Sequence, residues 1–347
     1  MTTELVIDGE AFVANLEAIR ARVAPAHHML VVKDDAYGHG LAETAVRARA
    51  AGVGRFGAFD VRTGAAVRAA LGDDVDVFVW IVGTQAEAEE AITAGLEIGV
   101  GDALLLEDVA AAAARCGLPA RVHLKADTGL HRNGVRPEEW APFVARAARL
   151  QRAGAIDVIG VWSHIAEASD AEDDAARSLF DDAVARVREA GLSPRLRHLA
   201  ASAASFARPE FRYDMVRVGA FAYGIRPAGG PAAGDVGIIP IASLRAPVLR
   251  VAADHVVAAV GALHGIPSSL AGAVDVGTPA GPRRLTRIDA YESRIETWPG
   301  AGAGDVVTVF GPGRAGEPSA TGLAEAVDTI GEEIAVRVSP GIPRRWR

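Results

Sequence analysis

Two of the 36 cationic side chains in this 347-residue chain are lysines, Lys33 and Lys125, and all the others are arginines. A lysine amine can lose its proton and attack a carbonyl, whereas a guanidinium stays charged at any pH a protein survives. A coding bias toward arginine would thin lysines out everywhere. It does not explain why both survivors sit inside distinctive motifs, VVKDDAYGHG (31–40) and HLKADTGLHRNGV (123–135). The pattern therefore points to Schiff-base chemistry at one of the two. His164, His198 and Arg217 join them, each at or just past the end of a short apolar run. Such groups converge only if the runs are parallel elements that end on one face.

The runs are residues 29–33, 55–60, 75–82, 96–100, 121–127, 155–164, 195–200 and 214–219, separated by alanine-rich amphipathic stretches that often end in glycine, as helices do. Eight strands, each followed by a helix, predict an α/β fold, a (β/α)8 TIM-type barrel, over residues 12–225. A doubly wound sheet is the runner-up. Barrel enzymes place their chemistry at the C-terminal ends of the strands, where the five groups fall. After about residue 225 a Gly/Pro/Ala linker, IRPAGGPAAGDVG, leads into strand-like alternation in SLRAPVLRV, DHVVAAVG, GDVVTVFG and EEIAVRVS. Residues 226–347 thus read as a smaller, mostly β C-terminal domain. The opening segment, residues 1–11 with its TELVID run, reads as a strand that joins it.

Composition narrows the partners. A net charge of −8 argues against nucleic acid. The single cysteine, Cys116, leaves no intrachain disulfide or cysteine-based zinc site, and no metal is expected. The first residues have no signal-peptide pattern and no apolar run reaches membrane-spanning length, so a soluble cytoplasmic protein that acts without a membrane is expected.

In VVKDDAYGHG an apolar run delivers Lys33 to a turn whose glycines allow close backbone approach, just before a helix start suited to an anion. The segment resembles the pyridoxal-phosphate lysine motif of the alanine racemase family (fold type III), and the likeness extends over roughly residues 1–225. It implies a Schiff base on Lys33, with Tyr37 among the groups that bind pyridoxal 5′-phosphate. HLKADTGLHRNGV is similar to the family's second lysine segment. It implies that Lys125 and Arg132 line the site near the substrate carboxylate and the cofactor O3′, so that Lys33, Lys125 and Arg132 form the catalytic set. WSHIAEASD (162–170) implies that His164 packs on the pyridine ring. RHLAASAASF (197–206) implies that His198 lies near the cofactor and that Ser202 binds its phosphate, although Ala201 replaces the family's asparagine. DMVRVGAFAYGIRP (214–227) implies Arg217 at the pyridine nitrogen and the backbone of Gly219 and Ala220 at the phosphate.

The resemblance weakens in the β domain. The family takes a second base, a tyrosine, from the partner subunit of a homodimer. The matching segment here, VGALHGIPSSL (260–270), carries Ala262 in its place, and no tyrosine lies between 224 and 290. The family's Met-Asp substrate segment reads Ile288-Asp289, and its phosphate-binding tyrosine is Glu332. Tyr291 and His264 are the candidate displaced second bases. The expected function is racemisation of a small amino acid by Cα proton exchange. The alternatives are a one-base enzyme of the same fold, a retro-aldolase or decarboxylase on a small or β-hydroxy amino acid, and a non-catalytic carrier of the cofactor.

Overall fold

Strand formation follows the apolar runs closely, and the longest of them, VDVFVWIV (75–82) and AIDVIGVWSH (155–164), are rich in β-branched and aromatic residues. The computed structural model describes residues 2–167 and 169–347. In chain order the strands begin with β1 (Glu4–Ile7). There follow β2 (His27–Val31), β3 (Arg55–Asp60), β4 (Asp76–Ile81), β5 (Glu97–Val100), β6 (Ala120–Lys125), β7 (Ile156–Trp162), β8 (Leu196–His198) and β9 (Met215–Val218). The remainder are β10 (Ala242–Val251), β11 (His255–Ala258), β12 (Asp275–Thr278), β13 (Gly281–Ile288), β14 (Ser293–Glu296), β15 (Val306–Phe310) and β16 (Arg344–Trp346).

The chain divides into two compact units. One comprises residues 19–33 and 48–219. Its eight strands are all parallel and are ordered β8-β7-β6-β5-β4-β3-β2-β9. Backbone hydrogen bonds from Asp214 to Arg197 (3.1 Å) and from Arg217 to Ala200 (3.2 Å) bring β9 against β8, nearly closing a barrel. Met29, Phe78, Trp162, Leu196 and Met215 fill its interior as one buried cluster. Several intervening helices start on a capping side chain: Asp60 accepts from the Thr63 amide, Thr84 from Glu87 and Asp102 from Leu105. Each such cap satisfies an amide the helix itself cannot, worth about 1 kcal/mol.

The other unit comprises residues 1–18, 34–47 and 220–347. Its strands run in the order β11-β14-β13-β12-β15-β10-β1-β16, and β11 also pairs with β10, closing a largely antiparallel barrel. The opening strand β1 pairs antiparallel with β10 and parallel with β16. One expectation is corrected here. EEIAVRVS does not extend a strand: residues Gly331–Arg337 form an α-helix. The buried positions are Gly331, Ile334, Ala335 and Val338, a helical i, i+3, i+4, i+7 spacing and not the alternation of a strand.

The turn after Lys33 departs from ordinary backbone geometry. Asp34, Asp35, Ala36 and Tyr37 all have φ of 54–55°, a left-handed turn that costs an L-residue roughly 1–2 kcal/mol each. Hydrogen bonds hold it. The Gly38 amide donates to the Asp34 carbonyl and Gly40 to Asp35, while Arg344 Nε and Trp346 Nε1 donate to the Gly38 and His39 carbonyls. At Gly38 (φ 79°) a Cβ would lie 2.7 Å from the Ala335 carbonyl oxygen, so only glycine fits.

Candidate active site

Strand alternation sends every second side chain into the barrel, and the strand ends decide which of them reach the C-terminal mouth. Lys33 is half-buried, two residues past β2. Lys125 is the last residue of β6 and only 6% exposed. Its ammonium stands 4.3 Å above the Trp162 ring, and the Arg217 guanidinium carbon lies 5.2 Å from the same ring. Arg217, third residue of the short strand β9, is buried. Its Nη2 donates to the Ser163 carbonyl (2.8 Å), the Leu199 carbonyl (3.0 Å) and His164 Nδ1 (3.1 Å), and its Nη1 to His198 Nδ1 (2.9 Å). His164, just past β7, is half-buried, and because a guanidinium can only donate, its Nδ1 is the acceptor toward Arg217.

Arg132 is exposed on the loop after β6. That loop is fixed at both ends: the Asp127 amide donates to the Val135 carbonyl and the Val135 amide to the Lys125 carbonyl, each at 2.9 Å. Asp127 closes its turn by accepting from the amides of Gly129 and His131 and from the His131 ring. Ser202 opens the short helix Ser202–Ala207 and its hydroxyl lies 3.4 Å from the Gly219 amide.

The electrostatics agree with this geometry. Burial pulls His164 down to about 3, and the charges of Arg217, Arg132, Lys125 and Lys33 push it the same way. Burial, then Arg217 and Arg132, lower Lys125 to about 8 against an opposing pull from Asp127. Four cations thus bear on one neutral imidazole. An anionic ligand carrying a neutral ring acceptor complements that field, and pyridoxal phosphate has both features.

In the other unit, Tyr37 is buried, with its ring 4.9 Å from that of Tyr223, which lies 4.9 Å from His39. Burial raises the Tyr37 hydroxyl well above its usual range, and the charges of Glu332 and Asp34 add to it. Ala220 begins a 3-10 turn, Ala220–Tyr223. Ala262 is exposed in the segment that matches the family's tyrosine motif. The amides of Ala262 and Leu263 donate to the carbonyls of Asp289 and Ala290 (2.9 and 2.8 Å), which brings the rings of His264 and Tyr291 to 5.9 Å. His264 Nδ1 accepts from the Gly261 amide at 3.0 Å, and partial burial lowers its pKa. The two candidate second bases are neighbours.

Sequence reasoning missed two residues inside the barrel, His123 and Glu97. His198 is fully buried with both ring nitrogens engaged: besides Arg217 it meets His123 Nδ1 at 2.9 Å, and His123 Nε2 meets Glu97 Oε2 at 3.0 Å. Both ring nitrogens of His198 are therefore taken by protein groups, Arg217 on one side and His123 on the other. A signal existed for His123, which sits two residues before Lys125 on the same face of its strand. For Glu97 it was a lone charge in an apolar run, LEIGV.

A lysine at the C-terminal mouth of a parallel barrel, in a chain with a separate antiparallel β domain, defines the fold type III class. The family model for the alanine racemase N-terminal domain matches residues 7–227. The alanine racemase of Beutenbergia cavernae is 37% identical, spanning 98% of this chain and 96% of its own length, and that of Salinispora tropica is 35% identical over 98% and 97%. Among solved structures, alanine racemase from Streptomyces coelicolor A3(2) superposes with a TM-score of 0.95 at 32% identity, covering 99% of this chain and 98% of its own. The Streptomyces lavendulae alanine racemase gives 0.94 at 31%, covering 100% and 97%. The chain belongs to the alanine racemase family, whose members depend on pyridoxal phosphate.

Proposed function

We propose that the protein interconverts L- and D-alanine with pyridoxal phosphate held at the barrel mouth. The observation that carries this reading is the cluster at the barrel mouth, where Arg217 donates to His164 and shares the Trp162 ring with Lys125, in a chain that matches the alanine racemase N-terminal domain over residues 7–227. Bound pyridoxal phosphate supplies an aldehyde that couples to a primary amine and a ring that delocalises the electron pair left when a Cα proton departs. The chain supplies the rest. Lys33 takes or returns the Cα proton on one face. Lys125 and Arg132 hold the substrate carboxylate, the guanidinium offering paired donors. Arg217 has no acceptor, so opposite a pyridine nitrogen it can only donate, and it keeps that nitrogen unprotonated. His164, neutral in this field, packs on the ring, and the Ser202 hydroxyl and Gly219 amide hold the phosphate. The assignment of Tyr37 and Ala220 to the cofactor rests on the motif match alone.

The second face needs its own base. His264 is the stronger candidate because burial keeps it neutral, and Tyr291 stands against it. We read the active form as a cytoplasmic homodimer, consistent with exposed Leu263 (59%), Tyr291 (64%) and Ile330 (53%) in the β-domain unit. Among the described residues no helix is long and apolar enough to cross a membrane.

The test is incubation with L-alanine in heavy water. The expected products are α-deuterated D-alanine and α-deuterated L-alanine, with a visible absorbance band that Lys33→Ala abolishes. Exchange with full retention of configuration would favour the one-base alternative. A colourless protein that ignores added pyridoxal phosphate would end the proposal.

A further inference from the structure

Through the barrel interior runs an unbroken line of side chains from one end to the other: Arg217, His198, His123, Glu97 and then Arg121. The contacts are 2.9, 2.9, 3.0 and 2.6 Å. Glu97, His123 and His198 are each 0% exposed. Glu97 opens β5, so it lies at the N-terminal end of the barrel, opposite the mouth. There Arg55 also approaches its Oε1 at 3.7 Å, and Asp76 bridges Arg55 (2.9 Å) and Arg121 (3.1 Å) beside a cavity of about 390 Å³.

The line has only one consistent direction of hydrogen bonding. Arg217 can only donate, so His198 Nδ1 must accept. A neutral His198 then carries its proton on Nε2 and donates to His123 Nδ1. His123 in turn carries its proton on Nε2 and donates to Glu97. Protonating His123 on both nitrogens would turn His198 around and set its N–H against the Arg217 guanidinium. Arg121 Nη2 donates to Glu97 Oε1 and Arg55 stands near the same oxygen, so the carboxyl stays ionised and its other oxygen, Oε2, accepts from His123. The barrel makes room for this line: a Cβ on Gly160 of β7 would fall 2.0 Å from His123 Nδ1.

We infer that Glu97 and His123 are positioning residues, which fix the tautomer of His198 from the far end of the barrel and so hold Arg217 as an oriented donor at the mouth. Two neutral imidazoles separate a buried carboxylate from a buried guanidinium and transmit the orientation of one to the other. For what Arg217 then donates to, the inference rests on the proposed cofactor site. The tautomers do not depend on it.

Glu97→Gln is isosteric but cannot satisfy both neighbours. With its amide nitrogen toward His123 it reverses both imidazoles and sets His198 Nδ1–H against Arg217. With the nitrogen toward Arg121 and Arg55 it opposes donor to donor against two guanidinium groups, so the first orientation is the one expected. Nitrogen-labelled histidine read by NMR gives the protonation site of each ring directly. The wild-type protein should carry its proton on Nε2 of both His123 and His198. In Glu97→Gln the His198 proton should move to Nδ1, the visible band of bound pyridoxal phosphate should shift, and kcat should fall about ten- to a hundredfold with KM nearly unchanged. Glu97→Asp, which keeps the charge, should retain the wild-type tautomer and band. A proton on Nδ1 of either histidine in the wild type overturns the inference, and so does a Glu97→Gln protein with unchanged tautomers, spectrum and kcat. If the variant does not fold, the wild-type tautomers alone decide. If the protein takes up no pyridoxal phosphate, the functional proposal fails while the tautomers still judge this one.

Discussion

Lys125 is an ammonium in a dry place among other cations, and the consequence can be measured. Its folded-state pKa lies near 8, against about 10.4 in an unfolded chain. The folded protein therefore binds this proton less readily than the unfolded one. The penalty is fully present below pH 8 and fades as pH rises toward about 10.4, so this residue makes stability increase with pH across that window. Lys125→Met should stabilise the cofactor-free protein by about 1–3 kcal/mol at neutral pH. Urea melts should show the gain shrinking from about pH 8 upward and largely gone above about pH 10.4. The same change should slow alanine racemisation at least about a hundredfold, a trade of activity for stability. What the sequence disclosed at this scale was residue type: two lysines in an arginine-rich chain mark themselves. Glu97 and His123 each left a local trace in the sequence, but their connection was not legible, because nothing along the chain says that β5, β6 and β8 aim a carboxylate and two imidazoles at one another. That is a property of barrel closure, which only the three-dimensional register supplies.

Elements set the geometry through a few places where only one residue fits. In the left-handed turn after Lys33, Ala36 is fully buried with φ 55°. Ala36→Val combines a β-branched side chain in that region with overpacking, and should cost roughly 2–4 kcal/mol in thermal or chemical melts. Gly265 ends the loop that carries His264. Its φ is +101° and a Cβ there would lie 2.0 Å from the Arg337 carbonyl oxygen. Gly265→Ala must move this loop, whose Ser339 amide bond to the His264 carbonyl (3.1 Å) ties it to the chain after residues Gly331–Arg337. We expect the variant to keep its visible cofactor band and lose most D-alanine formation, because the cationic constellation lies in the other unit. The barrel strands were readable because parallel strands buried on both faces form continuous apolar runs with helices between them. The β domain was read less well. Strands β12–β14 carry arginines and glycines, as in GPRRLTRI, and residues Gly331–Arg337 are too short for a helical period to outvote an alternating one.

At the scale of the whole molecule, the proposal divides each active site between two copies of the chain. Lys33 acts on one face of the substrate and the partner subunit's His264 or Tyr291 on the other. Such an arrangement has a signature that no single-chain site can imitate. A Lys33→Ala chain and a His264→Ala/Tyr291→Phe chain should each be inactive as racemases. In a mixed dimer with two-fold symmetry lost, one site carries both defects and the other carries none. Equal co-expression should place half of the chains in mixed dimers and restore about a quarter of wild-type racemisation. Differently tagged chains purified in tandem would raise that to about half. Sedimentation at enzyme concentrations spanning the dissociation constant should show activity rising in step with the dimer fraction. Activity per chain that stays constant through dissociation, or mixed dimers as inactive as their parents, would place the second proton donor within one chain and return Tyr37 and the barrel's own residues to consideration.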